Sequence, residues 1–201
     1  MKTGMLEWGV AAAPLPGETE CGDLHVVQAF AGGVLVAVID AIGHGAEAAR
    51  IARLAAGVFE RHPAKPVRAL MQRCHERLRG SRGAAISIAS FDDRAGTMAW
   101  LGVGNVRGVV VRADAAARCR RDSLLVRGGM VGDHLPELEL SSIPVERGDL
   151  LIMATDGIAS DLREALPGEL EPQGLAERIE RGSARTSDDA LVLVARHAGA
   201  R

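Results

Sequence analysis

The sequence predicts an α+β fold with antiparallel sheets and helices kept apart from the strands. Three observations carry this. Short β-rich runs open and close the chain and dominate residues 84–112. Two strongly periodic helices stand back to back instead of alternating with strands. The strands are joined by tight turn signals, whereas a parallel sheet needs long, usually helical crossovers.

Leu6 to Ala13 reads as a first strand, closed by the turn signal Pro14-Leu15-Pro16-Gly17. Glu18 to Asp23 is a polar loop. Leu24 to Ala31 and Gly33 to Ile39 are strands around the hairpin signal Gly32-Gly33. The second is continuously apolar, the mark of a buried strand. Ile51, Leu54, Ala55, Val58 and Phe59 fall at i, i+3, i+4, i+7 and i+8, one face of a helix. It ends near Arg61, because Pro63 and Pro66 bar its continuation. Val67, Leu70, Met71, Cys74 and Leu78 keep the period in a second helix, which stops at Gly80-Ser81-Arg82-Gly83.

Ala84 to Phe91, Thr97 to Val103 and Val106 to Arg112 predict an antiparallel meander, with turns at Asp92 to Gly96 and at Gly104-Asn105. Asp114 to Arg121 is expected as an exposed loop. Leu124 to Val126 and Leu138 to Ile143 are expected as short strands around the turn-rich Gly128 to Pro136. Leu150 to Ala154 is a buried strand, Ile158 to Leu166 and Leu175 to Ile179 are short helices, and Ala190 to Ala195 is the last strand. No repeat, low-complexity tract or linker interrupts this order, so one domain over 1–201 is expected.

Composition narrows the function classes. Of 201 residues, 47% are hydrophobic and 25% charged, an ordinary globular balance. A formal net charge of -2 gives no long-range pull toward nucleic acid or membrane. With no Tyr and 2% aromatics, a stacking platform for single strands is excluded. Three widely spaced Cys (21, 74, 119) make neither a disulfide framework nor a zinc motif, which fits a reducing, cytoplasmic setting. Met1 to Val10 lacks a signal-peptide pattern, and no apolar run approaches the roughly 20 residues of a membrane span.

Chemistry is signalled by acids. Asp40 ends a buried strand and is followed by Ala41-Ile42-Gly43-His44-Gly45 and a helix. A carboxylate there is costly unless it is paired or metal-bound; alternatively it caps the helix. Asp23, Asp156 and the pair Asp188-Asp189 stand in similar places, each beside a strand. Carboxylates held together repel unless a cation neutralises them, and an all-oxygen donor set points to Mg²⁺ or Mn²⁺. The alternative is four unrelated caps and turns.

The ordered set Gly22-Asp23, Asp40 to Gly45, Thr155-Asp156-Gly157 and Asp188-Asp189 resembles the metal-dependent protein phosphatases (PPM, phosphatase 2C-type), and within them the bacterial SpoIIE-type branch. Glu7 to Val10, Pro14 to Glu18, Gly102 to Val106 and Gly128 to Gly132 resemble the compact stressosome phosphatases of that branch. The resemblance covers nearly the whole chain. It implies a four-layer αββα sandwich with two central antiparallel sheets, and a centre of two Mn²⁺ or Mg²⁺ ions between them. By motif position Asp40 would bridge the ions. The Ala41 backbone carbonyl and Asp23 would serve one ion, and Asp156 and Asp188 the other. A metal-bridging hydroxide would attack phosphoserine or phosphothreonine. The implied partners are phosphorylated STAS-domain proteins of a stressosome or anti-anti-sigma proteins. A phosphatase of small esters and a catalytically silent binding module are the alternatives.

Two departures stand out. Relatives carry Gly where Ala41 stands, and animal members place a His two residues after the bridging Asp, where this chain has Ile42. His44 is thus a candidate general acid or a turn residue, and Asp189 a candidate ligand or an outer support. No basic phosphate clamp is found near the N-terminus. Gly102-Val103-Gly104-Asn105 lacks the Lys-Ser/Thr ending of a nucleotide loop and reads as a turn. Gly128 to Pro136 is either a flap at the site mouth or a surface loop. Arg118, Arg120 and Arg121 form a solvated cluster, or meet an acidic partner.

Overall fold

The strand Gly33–Ala41 is buried on both faces, and its alternation sets the layers of the computed structural model, which describes residues 1–114, 121–162, 171–185 and 187–199. In chain order the strands are β1 (Lys2–Thr3), β2 (Leu6–Ala13), β3 (Asp23–Phe30) and β4 (Gly33–Ala41). Helices α1 (Gly45–Arg61) and α2 (Val67–Leu78) follow. Then come β5 (Ala84–Asp92), β6 (Thr97–Val103), β7 (Arg107–Val111), β8 (Arg121–Ser123), β9 (Ser141–Pro144), β10 (Leu150–Ala154), α3 (Pro172–Ser183) and β11 (Ala190–His197).

The strands form two antiparallel sheets. One runs β3-β4-β5-β6-β9 and the other β1-β2-β11-β10-β7-β8. Successive side chains of a strand point to opposite faces. On β4, Leu35, Ala37, Ile39 and Ala41 therefore pack under α1 and α2, with Ile51, Ala55, Phe59, Leu70 and Met71. Val34, Val36 and Val38 face the other way and meet Leu151, Met153, Leu191 and Leu193 of the second sheet. The outer face of that sheet, with Ile152, Val192 and Val194, is covered by Leu175, Ala176 and Ile179 of α3. The result is helix, sheet, sheet, helix, the layering the resemblance implied.

Trp100 fills the space between the sheets, fully buried, and its Nε1 donates to Leu125 O at 2.8 Å. Burying one large apolar side chain stabilises by roughly 1.5–3 kcal/mol, so this inter-sheet layer is a main source of stability.

Four expectations need correction. Residues 84–112 are not one meander. β6 pairs with β5 and β9, whereas β7 belongs to the other sheet beside β10. Gly104-Asn105 is thus a crossing between sheets. A hairpin and a crossing carry the same turn residues, and only long-range pairing separates them. Ser87 anchors the crossing by donating its Oγ to Val106 O at 2.8 Å. Second, a strand runs over Arg121–Ser123 instead of Leu124 to Val126, because β7 supplies partners to those polar residues. Third, the strand expected over Leu138 to Ile143 is confined to Ser141–Pro144, where β6 offers an edge. Fourth, Ile158 is not helical; it bridges Ala184. Residues 159–161 are not helical either, and the rest of the helix expected over Ile158 to Leu166, 163–166, lies outside the described residues, as do Arg118, Cys119 and Arg120.

Candidate metal centre

The sheets bring four strand ends to one mouth. Asp23, the first residue of β3, stands opposite Asp40 in the β3–β4 register. From the other sheet, Thr155 follows β10 directly and donates its Oγ1 to Asp23 Oδ2 at 2.7 Å. The Leu191 amide donates to the same Thr155 Oγ1 at 2.9 Å, which fixes the hydroxyl's direction. Asp156 comes next, its Oδ2 accepting from Asn105 Nδ2 at 2.7 Å. The sheet crossing corrected above is what delivers Asn105.

Asp188 and Asp189 enter just before β11. Gly157 lets the Asp156 turn lie against them, since a Cβ there would stand 1.9 Å from Asp189 O. Past Asp40, Gly43 and Gly45 take φ of 96° and 70°, conformations that side chains disfavour. They turn the chain sharply into α1. Asp40 does not cap that helix; His44 occupies the cap position and offers no side-chain bond to it.

Electrostatics separate these acids. Burial pushes Asp23 up to about 8; Asp40, Asp189 and Asp188 add repulsion, and the Thr155 hydroxyl opposes it. Burial also pushes Asp40 up to about 7, followed by the repulsion of Asp156, Asp188 and Asp189. Asp40 and Asp23 thus feel the acids of the other sheet. Among the described residues no three His, Cys, Asp or Glu groups already close into a cage. The acids share one mouth at electrostatic range. The donor chemistry, oxygen throughout with two desolvated carboxyls, still fits a hard divalent cation.

Asp189 is used differently. It is 3% exposed, and its Oδ1 and Oδ2 accept the Leu15 and Gly22 amides, each at 2.7 Å. Asp189 thus fastens the loop before β3 through both oxygens, the outer-support role that the sequence offered beside that of a ligand. His44 points out to solvent and donates Nδ1 to Glu18 Oε1 at 2.6 Å. Cys21 lies beside the acids, but burial first and then Asp23 push its thiol up to about 12, against a backbone bond to Asp23, so it is no nucleophile.

Three contributors were missed in the sequence. Thr155 and Asn105 hold Asp23 and Asp156; Thr155 stands beside the Asp156 motif, a signal that was available, whereas Asn105 lies 51 residues from Asp156 and gave none. Arg82 is the third. Its Nη2 pairs with Glu47 Oε2 at 3.0 Å, and its Nη1 lies over Gly43, 2.9 Å from where a Cβ would stand. A lone Arg between Gly80 and Gly83 gave no such hint. The Gly128 to Pro136 loop is tied down: Val131 bridges Ala84, and the Gly132 amide donates to His75 Nδ1 at 3.0 Å. No helix among the described residues is long and apolar enough to cross a membrane.

Comparison with known proteins agrees with this architecture. The family model described as Stage II sporulation protein E (SpoIIE) matches residues 31–198. Phosphoserine phosphatase RsbX of Bacillus subtilis (strain 168) is 22% identical over 174 residues, covering 86% of this chain and 85% of RsbX. Among solved structures, one reported as "The bacterial stressosome: a modular system that has been adapted to control secondary messenger signaling" contains a chain 32% identical. It has a TM-score of 0.86, with 95% of this chain and 99% of that one covered. A crystal structure of RsbX in complex with magnesium has the same fold, at TM-score 0.86 and 20% identity, covering 98% and 97%. With the model spanning most of the sequence and both sheets reproduced, the chain belongs to the SpoIIE family of PPM-type serine/threonine phosphatases.

Proposed function

We propose that this protein is a divalent-metal-dependent, cytoplasmic phosphatase that hydrolyses phosphoserine or phosphothreonine on a partner protein, with Mn²⁺ or Mg²⁺ held as two ions at the mouth. The observation that carries this is the facing pair Asp23 and Asp40, pushed up to about 8 and 7 while in the field of Asp156 and Asp188. In this reading Asp40 would serve both ions, Asp23 and the Ala41 carbonyl would hold one, and Asp156 and Asp188 would hold the other. The ions would supply Lewis acidity and an activated water for in-line attack on phosphorus.

The chain's own residues do the rest. Thr155 and Asn105 hold Asp23 and Asp156 in direction, as outer partners of ligands do. Asp189 fastens the loop that brings Asp23 in. Arg82 places a guanidinium over the Gly43 turn, where it can receive the phosphoryl oxygens and offset the acidity of the mouth. His44, paired with Glu18, serves the turn and not proton transfer.

The likeness to RsbX and to the stressosome chain supports phosphorylated STAS-domain proteins as the substrate class. The test is phosphate release from a phosphorylated STAS domain and from a small aryl phosphate, with Mn²⁺, with Mg²⁺ and with chelator. Metal-dependent release that strongly favours the protein is expected. Release that survives chelation overturns the metal reading, and equal efficiency on the small ester overturns the protein substrate.

A further inference from the structure

The charge of this protein is unevenly placed. Residues 45–79 hold eight Lys and Arg against three Glu, an excess of five positive charges in a chain whose net is -2. The remainder therefore carries an excess of seven negative charges. All eight of those cations are exposed, and they sit on α1, on α2 with its C-cap Arg79, and on the turn between the helices.

Their spacing gathers them. On α1, Arg50, Arg53, Gly57 and Arg61 fall at i, i+3, i+7 and i+11, one stripe of the helix. On α2, Arg73 and Arg77 stand at i and i+4, a like-charge spacing that disfavours a helix by itself. Arg61, Arg73 and Arg77 meet around a shallow cleft of about 470 Å³, together with Val58, His62 and Glu76. Arg53 is paired with Glu20, but no ion pair engages Arg61, Arg73 or Arg77 among the described residues. His62 reports the same field: partial burial first, then Arg73, Lys65 and Arg61, hold its imidazole below the ordinary value.

We propose that the outer face of α1 and α2 is a docking surface for an acidic patch on a folded protein partner. Three arginines turned to one cleft, with Glu76 the one acid in its lining and no ion pair formed to it among the described residues, match clustered carboxylates or phosphates on a surface. A nucleic acid fits less well. The rest of the chain is acidic and would repel a continuing polyanion, and aromatics for base stacking are 2%. Distance also argues for a folded body. The cleft lies at the far end of α1 from the mouth, about 24 Å along a 17-residue helix. A partner that reaches both must be of domain size. The surface would raise the encounter rate and set orientation, and its effect should fade with salt. This goes beyond the phosphatase reading; only the size of the partner rests on it.

The experiment uses the full chain and a fluorescent oligoglutamate peptide, read by anisotropy across a salt series. Binding at low salt is expected, weakened at least roughly tenfold by Arg61→Glu/Arg73→Glu/Arg77→Glu, since three charge contacts are reversed. Arg94→Glu/Arg181→Glu, placed elsewhere, should leave it unchanged. The milder Arg61→Gln/Arg73→Gln/Arg77→Gln set runs in parallel, with thermal midpoints as the fold check. Peptide binding indifferent to both triple sets overturns the proposal. So does an oligodeoxynucleotide of equal charge that binds as tightly through the same arginines, which would mark the face as a nucleic-acid surface.

Discussion

Asp23 and Asp40 stand on one side of the mouth and Asp188 and Asp189 on the other, four carboxylates at neighbouring strand ends. Their surroundings differ. Asp189 has a backbone amide on each oxygen, and Asp188 accepts the Asp189 amide at 2.9 Å. Asp23 has one hydroxyl, from Thr155, and among the described residues no hydrogen bond reaches the carboxylate of Asp40. Amides stabilise the charged form of a carboxylate, whereas burial and like charges oppose it. Asp23 and Asp40 are therefore driven up to about 8 and 7. The comparison teaches that a buried acid with its hydrogen bonds filled serves the fold. Asp23 and Asp40 are left wanting charge compensation that the fold does not supply.

Substitution of the unfilled acid should give the largest effect. Asp40→Asn is expected to lower metal-dependent turnover by more than about a hundredfold, because even outer partners of metal ligands cost about 10–100-fold. In chelator at pH 8 the same variant should melt higher than the parent, since a repelled charge is gone. A lower midpoint would break the distinction. Asp189→Ala should behave the opposite way. Two buried amides lose a charged acceptor, a destabilisation on the order of 3 kcal/mol or more, seen in denaturant melts with or without metal.

The pH dependence comes next. Asp23 and Asp40 both titrate above the unfolded 3.8, so the folded chain binds more protons in between. Stability without metal should fall as pH rises from about 4 through about 8. Mg²⁺ or Mn²⁺ should remove most of that slope, and affinity for the ion should climb over the same window as the acids shed protons. A flat profile in chelator would remove the electrostatic basis of the comparison.

Smaller effects sharpen it. Asn105→Ala should weaken metal affinity about 10–100-fold while leaving the fold intact, measured by calorimetry. His44→Ala should stay well short of the roughly hundredfold loss that removing a general acid brings, because His44 lies exposed on Glu18. A loss of that size in kcat with an altered pH profile would restore His44 to the chemistry.

The strand–acid–glycine signals at Asp40 and Asp156, the two helices and most strands were legible in the sequence because they are local. Hydrophobic period, turn residues and a proline stop act within a few residues. The order of acids along the chain was legible for the same reason. What only the tertiary structure decided was pairing. A Gly-Asn turn reads alike in a hairpin and in a crossing, so the partition of residues 84–112 between two sheets was hidden, and with it the arrival of Asn105 at Asp156. The same holds for Asp188 and Asp189. Their neighbours along the chain are alike, but Leu15 and Gly22, more than 160 residues away, supply the amides that fill Asp189. Sequence fixes which groups are present; the distances across the fold decide which of them are left with unmet charge.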